Sequence, residues 1–98
     1  MVNAEVYCLS YFYAKKEFRA DLIKSLLKLI EPTRSEKGCL QYELLIDNEN
    51  PNLFIMLEKF STQKDLDTHE QKSYIKRFVE NEMNQYCEKV HWNVLNIL

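Results

Sequence analysis

Apolar residues along this chain change period repeatedly, and the changes divide it into strands and helices. From Val2 to Tyr13, valine, leucine and aromatic residues alternate loosely, which predicts a strand. Its even positions (Val6, Cys8, Ser10, Phe12) and its odd ones (Tyr7, Leu9, Tyr11, Tyr13) are both largely apolar, so both faces are expected to be covered. Between Lys16 and Glu31, Phe18, Leu22, Leu26, Leu29 and Ile30 recur at helical spacing, with Asp21, Lys24 and Lys28 on the other side. Pro32 is expected to bend or end this helix, and Gly38 to supply a left-handed stop.

Cys39 to Asp47 predicts a second strand with Leu40, Tyr42, Leu44 and Ile46 on one face. The turn formers Asp47 to Asn52 then lead into a third strand, Leu53 to Phe60. Its even face, Phe54, Met56, Glu58 and Phe60, is expected to point away from the helices. Thr62-Gln63-Lys64-Asp65 fits a capping box and opens a helical region, broken near Gln71-Lys72-Ser73. The second part of that region carries Ile75, Phe78, Val79 and Met83. Lys89 to Leu98 predicts a fourth strand.

The order β-α-β-β-α-β predicts an α+β fold, the ferredoxin-like split unit, with an antiparallel sheet and its helices on one face. The remaining sheet face is apolar, and no further element is left to cover it. A second copy would cover it, and two sheets face to face would close a dimeric α+β barrel. The chain is thus expected to be a homodimer whose interface includes Phe54, Met56 and Phe60.

The 98 residues suit a single domain, 1–98. With 46% hydrophobic and 29% charged residues, the composition excludes intrinsic disorder. A net charge of -2, with signs mixed along the chain, argues against nucleic-acid binding. No segment reaches the run of about 18 apolar residues that spans a membrane. Met1 to Glu5 lacks a basic, then apolar, leader, so a cytoplasmic location is expected. Cys8, Cys39 and Cys87 are odd in number and form no CxxC, so they are expected to be reduced and buried.

Two positions stand out chemically. Glu58 places a carboxylate among Phe54, Met56 and Phe60, which is costly unless the group is paired or protonated. It reads as a base of raised pKa, as a partner orienting a histidine, or as a buried anchor. His69 shares a helix face with Leu66 and reads either as a general base or as a surface histidine at a helix end, where removal would spare the fold. His91, beside Trp92, reads as structural. Tyr7, Tyr11, Tyr42 and Tyr74 read first as packing residues, yet with Phe54 and Phe60 they suggest an aromatic cavity for a flat organic ligand. No zinc spacing, P-loop or dinucleotide fingerprint occurs, and Gly38 is the only glycine. Neither a metal nor a cofactor is expected.

The stretch Pro32-Thr33-Arg34-Ser35-Glu36-Lys37-Gly38-Cys39-Leu40-Gln41-Tyr42-Glu43-Leu44 resembles the antibiotic biosynthesis monooxygenase domain family. Phe54-Ile55-Met56-Leu57-Glu58-Lys59-Phe60 and Leu66-Asp67-Thr68-His69 extend the resemblance. The family pattern runs Glu-x-Gly-Cys-x-x-Tyr, then an apolar strand ending Glu-x-Trp, then a helix with a histidine. The resemblance implies a homodimer and, in some members, oxidation of quinols or polycyclic aromatics by molecular oxygen without flavin, haem or metal. Other members isomerise small phosphorylated sugars or degrade haem. Glu58 matches the strand glutamate and His69 the helix histidine, which implies catalytic roles for both. Phe60 stands where many members have tryptophan, and Tyr74 where a second histidine is common. The Asn-Trp-His set of haem degradation is absent; its positions fall near Cys8 or Ser10, on His69 and near Val79.

The expected function is therefore that of a cofactor-independent monooxygenase acting on a small aromatic or quinol-type compound. His69 and Glu58 would be catalytic, and Phe54, Met56, Phe60, Tyr74, Gln41 and Phe78 would contact substrate. The alternatives are a dimeric small-metabolite-binding protein without turnover, and an isomerase using the same pocket.

Overall fold

The computed structural model describes residues 4–98. Strand β1 spans Val6–Ala14, helix α1 Arg19–Arg34, β2 Cys39–Ile46, β3 Leu53–Phe60 and α2 Gln63–Glu70. Helix α3, Ser73–Arg77, runs on through a π-helical segment, Phe78–Met83, into α4, Asn84–Tyr86, and β4 is Cys87–Asn96. The expected start of β1 at Val2 lies outside the described residues. The strands lie in the order β2-β3-β1-β4, and every neighbouring pair is antiparallel. This is the ferredoxin-like arrangement, in which β1 and β3 occupy the centre. Among the described residues, no helix is long and apolar enough to cross a membrane.

Helix α1 docks through Leu22, Leu26 and Leu29, spaced so that each falls on the same stripe, and all three are buried. They meet Phe12, Phe54 and Met56 of the sheet. The even residues of β3 therefore face the helices, contrary to the expectation that they would point away. Pairing explains the direction: Cys8 lies opposite Glu58 and Phe12 opposite Phe54, so the buried even face of β1 and that of β3 are one surface. The uncovered face is instead formed by odd positions. Tyr7, Leu9, Tyr11, Ile55 and Leu57 lie there, all partly exposed. Phe54, Met56 and Phe60 are core residues and cannot line a contact between sheets.

Pro32 does not end α1. Its missing N–H removes a single bond in the last turn, and Ser35 N donates to the carbonyls of Glu31 and Pro32 at 3.2 and 3.3 Å, closing that turn. Gly38 has no positive φ and is not a left-handed stop. It is required for close approach: a Cβ there would lie 2.2 Å from Asp65 Cγ. Asp65 is fixed by the hydroxyls of Ser61 at 2.5 Å and Thr62 at 2.8 Å, while Thr62 Oγ1 caps α2 by accepting from Asp65 N at 3.1 Å. In β2 an irregularity between Cys39 and Gln41 takes Leu40 off the expected face and leaves it exposed.

Candidate active site: a histidine between two glutamates

A cavity of about 300 Å³ opens between the helix-covered face of the sheet and the helices. Phe12 and Met56 form part of its floor, Leu26 and Leu29 of α1 one wall, and Phe78, Val79 and Met83 another. The π-helical segment matters here. Its hydrogen bonds reach five residues rather than four, so Phe78 and Met83, five apart, turn to the same side. Strand β4 contributes Val90 and Trp92, placed on this face opposite Phe12 and Ser10, and Trp92 is 59% exposed at the mouth.

One end of the cavity is polar, with Ser10, Glu58 and His69 beside Cys8 and Tyr42. His69 is 3% exposed, held between the rings of Phe60 and Tyr42 at centroid distances of 5.0 and 5.5 Å. It is therefore no surface histidine, and its removal would leave a hole and an unpaired partner. Its Nε2 lies 3.6 Å from Glu58 Oε1, and its Nδ1 lies 3.0 and 3.2 Å from the two carboxylate oxygens of Glu36. The Tyr74 hydroxyl donates to Glu36 Oε2. The Ser10 hydroxyl donates to Glu58 Oε2 at 3.2 Å and sits 3.7 Å from Cys8 Sγ.

The electrostatics follow from this enclosure. Burial, the largest cause, lifts the Glu58 carboxyl from 4.5 to about 8, with Glu70 and Glu36 adding and the Ser10 hydrogen bond opposing. At neutral pH Glu58 is thus a proton-bearing group beside an imidazole nitrogen. Burial first, and Glu58 second, push the Cys8 thiol up to about 12, so it is no nucleophile. Tyr42 is raised by burial and then by Glu58, and Tyr74 by burial and then by its bond to Glu36, so both phenols keep their protons. Among the described residues no group of three or more His, Cys, Asp or Glu is arranged to hold a metal ion.

Glu58 and His69 thus meet at one site. Of the residues expected to contact substrate, Met56 and Phe78 line the cavity. Phe60 packs on His69 and Tyr74 binds Glu36, both behind the site. Phe54 is a core residue outside the cavity lining, its ring beneath the Arg19 guanidinium at 5.4 Å. Gln41 lies outside this cavity, on the other face of the sheet, where it donates to Glu43 Oε2 at 2.5 Å. Glu36, Ser10 and Trp92 were not anticipated, although Glu36 opens the Glu-x-Gly-Cys-x-x-Tyr stretch and could have been sought on that ground.

Residues 6–81 match the antibiotic biosynthesis monooxygenase family. YcnE of Bacillus subtilis, whose name carries a provisional monooxygenase assignment, is 29% identical over 70 residues, covering 71% of this chain and 74% of its own. An uncharacterized protein of Synechocystis, sll1783, is 35% identical over 66 residues, covering 67% of this chain but only 45% of its own length. Among solved structures, SO0527 of Shewanella oneidensis superposes with a TM-score of 0.94 at 28% identity, covering 97% of this chain and 92% of that one. A structure named as an antibiotic biosynthesis monooxygenase superposes with a TM-score of 0.87 at 22% identity, covering 95% and 98%, and shares the fold. The chain belongs to the antibiotic biosynthesis monooxygenase family.

Proposed function

We propose that this protein is a cofactor-independent monooxygenase of small aromatic or quinol-type compounds, working in the cytoplasm as a homodimer joined through the uncovered sheet face. The observation that carries the reading is a histidine fixed between two glutamates at the polar end of an otherwise apolar cavity. The cavity volume, about 300 Å³, falls at the lower end of small-molecule sites. No lysine or arginine is among the described residues that line it, so it offers no cation to a phosphate; this favours a neutral ring over a phosphorylated sugar and ranks the isomerase reading lower. The partly exposed apolar residues Tyr7, Leu9, Tyr11, Ile55 and Leu57 support the dimer.

The chemistry balances without a further redox partner. His69 Nε2 takes the proton of a phenolic hydroxyl, and the phenolate gives one electron to molecular oxygen. The two radicals combine into a C–O bond at the para carbon, and the imidazolium returns its proton to the outer peroxide oxygen. Loss of the remaining para hydrogen as a proton, with cleavage of the O–O bond, leaves a para-quinone and one water. One oxygen atom ends in the new carbonyl and the other in water, and the ring supplies all four electrons. Glu58, carrying its proton at neutral pH, hydrogen-bonds the developing oxyanion or the peroxide. The apolar walls exclude water and hold the ring flat.

The test is oxygen uptake with phenols and naphthols that carry a hydrogen para to the hydroxyl, under ¹⁸O₂, with products read by mass spectrometry. One labelled atom per product is expected, with uptake reduced at least about 100-fold in His69→Gln. Anaerobic binding of the same compounds without uptake under oxygen would overturn the enzyme reading in favour of a binding protein.

A further inference from the structure

We propose that Glu36 is the positioning residue of this site: it holds His69 in the tautomer protonated at Nδ1, so that Nε2 is presented bare to the cavity. Both Glu36 oxygens approach the same ring nitrogen, at 3.0 and 3.2 Å, and a carboxylate can only accept, so Nδ1 is the donor. Glu36 is fixed from three directions. Its N–H donates to Thr33 O at 2.9 Å, its carbonyl accepts from Cys39 N at 3.1 Å, and the Tyr74 hydroxyl donates to its carboxylate. The side chains of His69 and Glu36 are 4% and 9% exposed, so water does not compete for the bond.

The consequence is directional. With Nδ1 occupied, the lone pair on Nε2 faces Glu58 Oε1 at 3.6 Å, the side on which the cavity lies. Without Glu36 no other acceptor among the described residues bonds Nδ1; a proton on Nε2 would point at Glu58 and the basic face would be lost. This orientation holds whatever the cavity binds, whereas its effect on turnover rests on the oxygenase reading above.

The test is ring ¹⁵N–¹H correlation of the ¹⁵N-histidine-labelled full chain between pH 5 and 9, for wild type, Glu36→Gln, Glu36→Leu and Tyr74→Phe. His91, the other histidine, is assigned by its own substitution. Wild type is expected to carry the Nδ1–H tautomer of His69 over at least part of this range. Glu36→Leu is expected to move the tautomer ratio at least tenfold toward Nε2–H, with Tyr74→Phe between them. A wild-type ring protonated at Nε2, or at both nitrogens throughout, overturns the proposal, as does a Glu36→Leu ring that stays Nδ1–H. Should Glu36→Leu not fold, the wild-type spectrum still decides. In oxygen uptake, Glu36→Gln is expected to lower kcat by 10- to 100-fold with KM little changed. A wild-type protein with the expected tautomer and no uptake of oxygen would remove the oxygenase reading and leave the positioning role standing.

Discussion

Glu58→Gln should stabilise the protein, and by an amount that depends on pH. Burial lifts the carboxyl from 4.5 to about 8 in the folded state. Between these values the folded protein holds a proton that the unfolded chain has released, so raising the pH favours unfolding. Glu58's contribution is fully present below about pH 4.5 and is lost progressively until the pH passes about 8. At about 1.4 kcal/mol per pH unit, the accumulated penalty at pH 7 is about 3 kcal/mol. His69 Nε2, 3.6 Å away, offsets part of this whenever the ring is protonated, which lowers the expected gain to about 1–3 kcal/mol. Glutamine keeps the volume and an acceptor for the Ser10 hydroxyl while removing the charge. Urea unfolding of both proteins at one fixed concentration, from pH 4.5 to 8.5, measures the difference. The variant should match wild type at the acid end and pull ahead as the pH rises. A constant difference, or a variant that falls behind above pH 7, would show that Glu58 is ionised and paired, and would refute the reasoning.

Gly38→Ala should cost at least about 2 kcal/mol in thermal unfolding, because the new methyl overlaps the Asp65 side chain. Asp65→Ala in the same chain should restore part of the loss, and an additive double variant would count against the close-approach account. Cys8 and Cys87, both buried and raised to about 12 and 11, should resist a disulfide reagent at pH 7 in the native state. All three thiols should react on denaturation; fewer would mean a bridge. Leu57→Lys, on the uncovered face, should shift sedimentation at micromolar concentration from dimer to monomer without unfolding the chain. A wild type that sediments as a monomer would end the dimer proposal.

The order of strands and helices was legible because its signals are local: a 3.6-residue period in α1, dense turn formers between β2 and β3, a hydroxyl cap on α2. The direction of the sheet faces was not. Both faces of β1 are apolar, so hydrophobicity alone could not say which side the helices cover, and the choice rests on how α1 packs. The pairing of Glu58 with His69 was accessible from a misplaced carboxylate and a lone helix histidine. Glu36 was hidden because it lies 33 positions from its partner, in the connection after α1, where a glutamate reads as ordinary surface. Gly38 was misread because its demand comes from a carboxylate distant in sequence rather than from its own φ.

The π-helical segment makes the shape of the cavity wall depend on a single residue. Such a turn holds one residue more than the α-helix it interrupts. Deleting one position between Phe78 and Met83 would let the flanking helices, Ser73–Arg77 and Asn84–Tyr86, join in a continuous α-helical register. Phe78 and Met83, then four apart, would still share the cavity side, while the wall would lose the residue that the wider turn accommodates and the sheet, His69 and both glutamates would stay where they are. One three-base deletion or insertion in the gene is thus enough to switch this wall between a wide and a regular turn on the same sheet.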